Sequence, residues 1–198
     1  MGVSIKIKFL SYAYNILMKI GAWVLIFFSC VAFVLSGYNL FMVYTHPLKF
    51  ENEIIESARN FDLSPALVAS IINTESSFRE NAKSSKNAIG LMQIKLSTAN
   101  YLNDIEGDEN ITEEELFEPI TNIQYGCEYL KYLINKFDDI NTALASYNAG
   151  ETRVKSWLSS GVYSTDGKTL MYIPYEETRN YVEKINKNIK FYEKLFKN

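Results

Sequence analysis

An all-α domain behind a single membrane-spanning helix is the fold class that the sequence predicts. Three observations carry it. Residues 21–45 contain no charged side chain and are rich in Val, Leu, Ile, Phe and Ala, a run longer than the roughly 20 residues needed to cross a bilayer's hydrocarbon core. Beyond it, apolar residues recur at helical intervals in several separate stretches, the mark of helices with one buried face. No stretch shows a sustained strand-like alternation.

At the N-terminus, residues 1–19 carry Lys6, Lys8 and Lys19 and no acid. Positive charge on this flank predicts a cytoplasmic N-terminal segment, a transmembrane anchor over 20–45, and residues 46–198 on the extracytoplasmic side. Trp23 near one end of the run, and Tyr38 and Tyr44 toward the other, sit where aromatic rings prefer the interface. A cleaved signal peptide is the competing reading. Val34-Leu35-Ser36 would serve as its cleavage site, but the apolar core is longer than such a peptide uses. Cys30, after Phe27-Phe28-Ser29, matches a lipoprotein site poorly and reads as a thiol facing the membrane.

Residues 46–198 are long enough for one domain with its own core. They hold all 23 acidic residues and 17 of the 20 Lys and Arg, a net charge of −6. That balance argues against nucleic acid or anionic lipid as the main ligand. Cys127 is the domain's one cysteine, so packing rather than an internal disulfide must hold it together. The chain's one histidine is His46, at the membrane edge. Ser-His-Asp and Cys-His catalysis and a His-based zinc site are therefore disfavoured, and no metal or cofactor is expected.

The elements follow in order. Residues 50–61 carry Ile54, Ile55, Ala58 and Phe61 on one face and predict a first helix. A second begins at Ser64, a residue suited to cap the first turn, with Pro65 at the first helical position. Its apolar stripe is Leu67, Val68, Ile71 and Ile72, and one turn past Ile71 on that stripe stands Glu75. Residues 79–90 are polar and end in Gly90, a loop; 97–102 predict a short helix. The acidic run 104–115 predicts a solvated loop leading into a helical turn. Asp104, Glu106 and Asp108 alternate as in a calcium loop, but Glu109 stands where the sharp turn needs glycine. Ile123, Cys127, Leu130 and Ile134 mark a helix over 120–137, and 139–149 predict another, ended by Gly150. A short helix over 152–159 contains Trp157; 160–171 are a loop. The last helix, 176–196, turns Tyr181, Val182, Ile185, Ile189, Tyr192 and Phe196 inward.

Glu75 is the residue whose position asks for an explanation. Desolvation raises a carboxyl pKa, and the negative end of a helix dipole pushes the same way. A carboxyl protonated near neutral pH is a general acid. From helix position alone, a structural glutamate paired with an arginine is the other reading.

The residues after it decide between the two. Glu75-Ser76-Ser77-Phe78, then Ala82, Ser84-Ser85 and Ala88-Ile89-Gly90-Leu91-Met92-Gln93-Ile94, form a first block. Leu116, Pro119, Asn122-Ile123, Gly126 and Tyr129-Leu130 form a second, and Ala145-Ser146-Tyr147-Asn148-Ala149-Gly150 a third. Ile173-Pro174-Tyr175, Glu177-Thr178-Arg179 and Tyr181-Val182 close the series. In this order the blocks resemble the soluble-type (SLT) lytic transglycosylases, and the likeness runs from about Ile54 to Tyr192.

The resemblance implies an all-α, lysozyme-like fold of the goose-type lysozyme and SLT kind. It implies cleavage of the MurNAc–GlcNAc β-1,4 bond of peptidoglycan glycan strands without water, leaving 1,6-anhydromuramic ends, with Glu75 as the one acid/base. Ordinary glycosidases use two carboxylates. An intramolecular 6-hydroxyl at high effective concentration removes the need for a second. The resemblance further implies substrate-binding roles for Ser84, Met92, Gln93, Tyr147 and Asn148. In physical terms Gln93 offers both donor and acceptor, Met92 an apolar contact to a sugar face, and Gly90 a close backbone approach. Met92 read as core and Asn148 read as a helix end are the alternatives. Glu177 and Arg179 are expected either to pair structurally or to set the site's electrostatics.

The chain departs from the family pattern at Lys95-Leu96, where an apolar residue and Pro are usual, at Glu80 for Pro, and at Glu151-Thr152 for small or Pro-Gly residues. These bear on subsite shape rather than on the reaction. A muramidase on the same fold, using Glu80 or Asp104 to activate water, is one rival. A membrane-anchored glycan-binding scaffold that does not cut is another. The anchor also fits an enzyme serving an envelope-spanning machine in a bacterial cytoplasmic membrane.

Overall fold

The computed structural model describes residues 2–197, with the side chains of 2–11, 13, 15, 39 and 43 outside the described set. The chain divides into two units, Met1–Thr45 and His46–Asn198. The first is one helix, α1 (Gly2–Thr45). Within it Ile16–Met42 has a mean hydropathy of 2.2 and none of its described residues is buried. At about 1.5 Å per residue that span exceeds the thickness of a bilayer's hydrocarbon core. It begins before the boundary read at residue 20. Trp23, Leu25 and Phe33 present most of their surface to the surroundings, an arrangement that water penalises and lipid does not. Lys6 and Lys8, on which the sidedness of the N-terminal segment rests, lie outside the described side chains.

The second unit holds α2 (Glu51–Asn60), α3 (Pro65–Glu75), α4 (Leu96–Glu106), α5 (Glu113–Phe117), α6 (Pro119–Phe137), α7 (Ile140–Ala149), α8 (Glu151–Leu158) and α9 (Glu176–Leu195). Two strands of two residues each, β1 (Ala88–Ile89) and β2 (Ile94–Lys95), pair antiparallel between α3 and α4. The sequence shows no sign of this hairpin, because two residues are too few for a strand period to register.

Helix α3 is the axis of the domain. Every residue from Ala66 to Asn73 is buried. The stripe expected from the sequence is therefore too narrow a reading: α3 is buried all round, Ser70 and Asn73 included, and threads the core against α9 and α2. Its start also differs in detail. Ser64 occupies the cap position with extended backbone, but its side chain makes no capping bond. The Val68 N–H meets the Ser64 carbonyl, and Pro65 removes one donor that would need a partner. Side-chain caps do hold α5, where Thr112 and Glu115 bond reciprocally, and α7, where Asp139 Oδ2 accepts from the Thr142 N–H at 2.7 Å.

Helix α4 runs to Glu106 and ends at Gly107, whose φ is 83°, so the acidic run begins on a helix end rather than in a loop. Asn103 holds that end: its Nδ2 donates to the Glu109 carbonyl at 2.7 Å and its Oδ1 accepts from Tyr125 at 2.8 Å. At the entry to the domain, His46 Nε2 pairs with Asn188 Oδ1 at 3.2 Å and its ring lies 4.3 Å from that of Phe191. The histidine ties the first residues of the domain to α9.

Candidate active site

Glu75 is the last residue of α3. The chain leaves the helix through Ser77 (φ 52°) and Phe78 (φ 60°), two consecutive non-glycine residues in the left-handed region, each at a cost of about 1–2 kcal/mol. Phe78 is buried beside Tyr192, with ring centroids 6.2 Å apart, and that packing offsets the strain. The sharp exit keeps the Glu75 carboxyl at the end of a buried rod with its tip open to a groove.

The loop that follows is pinned from behind by one side chain. Asn122 on α6 is fully buried. Its Oδ1 accepts from the Met92 N–H at 2.8 Å, and its Nδ2 donates to the carbonyls of Ile89 and Leu116, both at 2.9 Å. Gly90 (φ 73°) lies against it; a Cβ there would stand 2.3 Å from Asn122 Nδ2. The glycine thus makes room for Asn122, not for a ligand in the groove.

The groove has two lobes that meet at Gln93. One, of about 750 Å³, is lined by Glu75, Arg79, Glu80, Ser84 and Gln93 among others. The second, of about 230 Å³, is bounded by Gln93, Tyr129, Tyr147 and Asn148, with Lys86 and Lys95 at its edge. Gln93 takes the left-handed conformation (φ 52°), and its Nε2 donates to the carbonyls of Ala82 and Gly90 at 3.1 and 3.0 Å. That leaves its carbonyl oxygen for a ligand. Tyr147 donates to the Met92 carbonyl at 2.9 Å and packs on Tyr129 with centroids 5.3 Å apart.

Burial pushes the Glu75 carboxyl up to about 7, against weaker opposing pulls from a Tyr181 hydrogen bond and the Lys184 charge. The residue keeps part of its surface exposed, yet desolvation of the carboxyl dominates. Tyr181 on α9 stands on the inner face of the last helix and in the closing block of the family pattern, but the sequence assigns it no part in the site. Its hydroxyl donates to Glu75 Oε1 at 2.7 Å, which leaves Oε2 for a ligand in the lobe that Glu75 lines. Burial, and then the nearness of Glu75, hold the hydroxyls of Tyr147 and Tyr181 well above their ordinary range, so both stay protonated. The site is one neutralisable carboxyl among phenols, at the wall of an open groove.

Residues 52–177 match the family profile described as the transglycosylase SLT domain. The chain belongs to that family. Over 147 residues it is 33% identical to the soluble lytic murein transglycosylase of Salmonella typhimurium, an alignment covering 70% of this chain and 22% of that one. It is 43% identical over 98 residues to membrane-bound lytic murein transglycosylase E of Buchnera aphidicola, covering 47% and 43%. Among solved structures, an inactive glutamate-to-glutamine mutant of the lytic transglycosylase Slt from Pseudomonas aeruginosa superposes with a TM-score of 0.69 at 28% identity, covering 79% of this chain and 26% of that one. A complex of the 70-kDa soluble lytic transglycosylase with bulgecin A gives a TM-score of 0.67 at 28% identity, covering 77% and 25%. The chain spans less than half of the length of each of these relatives.

Within this SLT domain the expected site residues part company. Glu75, Ser84, Gln93, Tyr147 and Asn148 line the two lobes. Met92 does not: its side chain is fully buried and fills the space over Gly126, where a Cβ would stand 2.2 Å from its sulfur. Its contribution is its carbonyl, which holds Tyr147. Ser84 Oγ accepts from the Ala88 N–H at 3.0 Å, so its hydroxyl proton is what it has left to offer a ligand. Asn148 Oδ1 accepts from Thr178 at 2.8 Å. Arg179 turns to the Ile173 carbonyl at 2.6 Å and to Tyr172 rather than to Glu177, which is exposed; the arginine anchors the entry to α9. The signal for Tyr181 was present as a phenol on the inner face of the last helix, since a buried tyrosine hydroxyl needs a partner.

Proposed function

We propose that this chain is a peptidoglycan lytic transglycosylase that cuts the MurNAc–GlcNAc β-1,4 bond with Glu75 as the single acid/base. The observation that carries the reading is the Glu75 carboxyl itself, raised to about 7 by burial, hydrogen-bonded by Tyr181 through Oε1 and lining the larger lobe of the groove. Oε2 donates its proton to the glycosidic oxygen as the bond to C1 breaks. The carboxylate so formed is stabilised by the Tyr181 hydroxyl. It then takes the proton of the muramic 6-hydroxyl as O6 bonds to C1, which closes the 1,6-anhydro ring and restores the acid. No water enters the balance. Gln93 Oε1 and the Ser84 hydroxyl orient the sugars. Tyr147 supplies an aromatic face and a dipole beside the reacting centre. The inactive glutamate-to-glutamine mutant of the Pseudomonas relative is in keeping with an essential glutamate.

The second carboxylate that a muramidase requires is weakly supplied. Asp104 is exposed on α4 and is not among the groove residues, while Glu80 lines the larger lobe as an exposed loop residue. Helix α1 anchors the domain in the bacterial cytoplasmic membrane, with one crossing and the SLT domain on the extracytoplasmic face, in keeping with the membrane-bound relatives. The test is release of soluble fragments from purified peptidoglycan by the full chain in detergent micelles, beside Glu75→Gln. Release that disappears in the variant supports the reading. Equal release by both proteins contradicts it, and no release by either favours the scaffold.

A further inference from the structure

The groove is basic in a domain that is acidic. Residues 46–198 carry more acids than bases, yet the linings of the two lobes include Lys49, Arg79, Lys83, Lys86 and Lys95 against only Glu75 and Glu80. Of the two acids, Glu75 is only partly ionised near pH 7, because burial holds its carboxyl up at about 7. Lys83 is spent on an ion pair with Glu113. Among the described residues the other four cations form no ion pair: Arg79 Nε donates to the Ser76 carbonyl, and Lys86 and Lys95 stand exposed at the edge of the smaller lobe. Lys95 is also where the chain departs from the family pattern. Elsewhere on the domain some lysines pair, as Lys136 and Lys155 do with Glu151 and Lys131 with Asp62, while Lys168, Lys184 and Lys190 form no ion pair among the described residues; what sets the groove apart is five cations against two acids. Unpaired cations gathered at a groove, in a domain whose excess charge is negative, select for an anionic ligand there.

We infer that Lys86 and Lys95 form a carboxylate-recognition edge that makes this domain prefer glycan strands bearing free carboxylates. The inference rests on the proposed activity. A glycan backbone of N-acetylated sugars is itself uncharged, so the anion must be a substituent on it. Two sources share that chemistry: the lactyl carboxylate of muramic acid once its peptide is removed, and the carboxylates of the peptide stems. Each exposed ammonium–carboxylate contact is modest and salt-sensitive, and two together give roughly a three- to tenfold change in affinity.

The test uses the full chain in detergent micelles and a Lys86→Gln/Lys95→Gln double variant. Substrates are intact peptidoglycan, glycan strands stripped of stems, and both after carbodiimide amidation of their carboxylates. Wild type should show a KM about three- to tenfold higher on amidated than on unmodified substrate, at similar kcat, while the double variant treats the two alike. The wild-type advantage should vanish in high salt. A preference on stripped strands assigns the lactyl carboxylate; a preference confined to intact material assigns the stems. Equal KM on blocked and unblocked substrates for wild type, or the same preference retained in the double variant, overturns the inference. Cosedimentation of Glu75→Gln with the same substrates, with and without the lysine changes, reads the preference as binding without cleavage. Cosedimentation that ignores amidation sinks the carboxylate edge, whereas loss of cleavage with the preference kept sinks only the proposed activity.

Discussion

At the residue scale the account rests on Glu75 and Tyr181. The carboxyl sits near 7 because burial outweighs its hydrogen bond and the Lys184 charge. Its acid form is therefore lost as pH rises through about 7, and the rate of fragment release should fall there. The same shift bears on stability. A carboxyl whose pKa is raised by folding stabilises the protein below its unfolded value, and that contribution disappears as pH climbs through the folded one. Between pH 4.5 and about 7 the domain should lose on the order of 2 kcal/mol, allowing for the carboxyl's exposed portion. Denaturation midpoints measured against pH read this loss directly, and Glu75→Gln should flatten the slope in that window. Tyr181→Phe removes a donor that favours the carboxylate. The alkaline limb of the pH–rate profile should then move up by about one pH unit, with slower turnover, since a hydrogen bond to a charged group is worth about 1.5–3 kcal/mol. A limb that stays in place would show that Tyr181 does not set the acid. Glu75 stands out in the sequence because its neighbours in the chain carry the family resemblance. The phenol of Tyr181 was visible on the inner face of the last helix, but its partner was not, because that contact joins residues 106 positions apart. Met92 misled for a related reason: its neighbours Gly90 and Gln93 belong to the groove loop, while its own side chain points to Gly126 behind it.

At the scale of elements, the loop from Ser76 to Lys95 is shaped by what stands behind it. Asn122 satisfies one backbone donor and two carbonyls in a fully buried setting. Asn122→Ala leaves all three without partners and should cost about 3 kcal/mol or more. Thermal or urea denaturation measures the loss, and a cost under about 1 kcal/mol would mean that water replaces the side chain. The helices themselves were legible: α2, α3, α6, α7, α8 and α9 begin and end within a residue or two of the spans their periodicity predicts. What escaped was set by tertiary contacts. Helix α4 outruns its apolar pattern because Asn103 and Gly107 finish it, and the hairpin β1–β2 is built on a loop held by Asn122 rather than on strand propensity.

At the scale of the molecule, an apolar helix and a net acidic domain with a basic groove occupy one chain. The long apolar helix was readable because hydropathy over 27 residues needs no partner to be recognised. The domain's charge was readable only as a sum; its segregation toward the groove required the fold. The proposed topology predicts that protease added outside intact spheroplasts digests residues 46–198 and leaves the N-terminal segment protected. Digestion only after lysis would reverse the orientation.

The central claim is that Glu75 cleaves glycan without water. The measurement that meets it most directly is mass spectrometry of fragments released from purified peptidoglycan in ¹⁸O-water by the full chain. The account predicts anhydromuramic ends, lighter than reducing ends by one water and free of ¹⁸O, all absent with Glu75→Gln. Reducing ends carrying ¹⁸O would contradict it and mark the protein as a hydrolase with a second carboxylate still to be found.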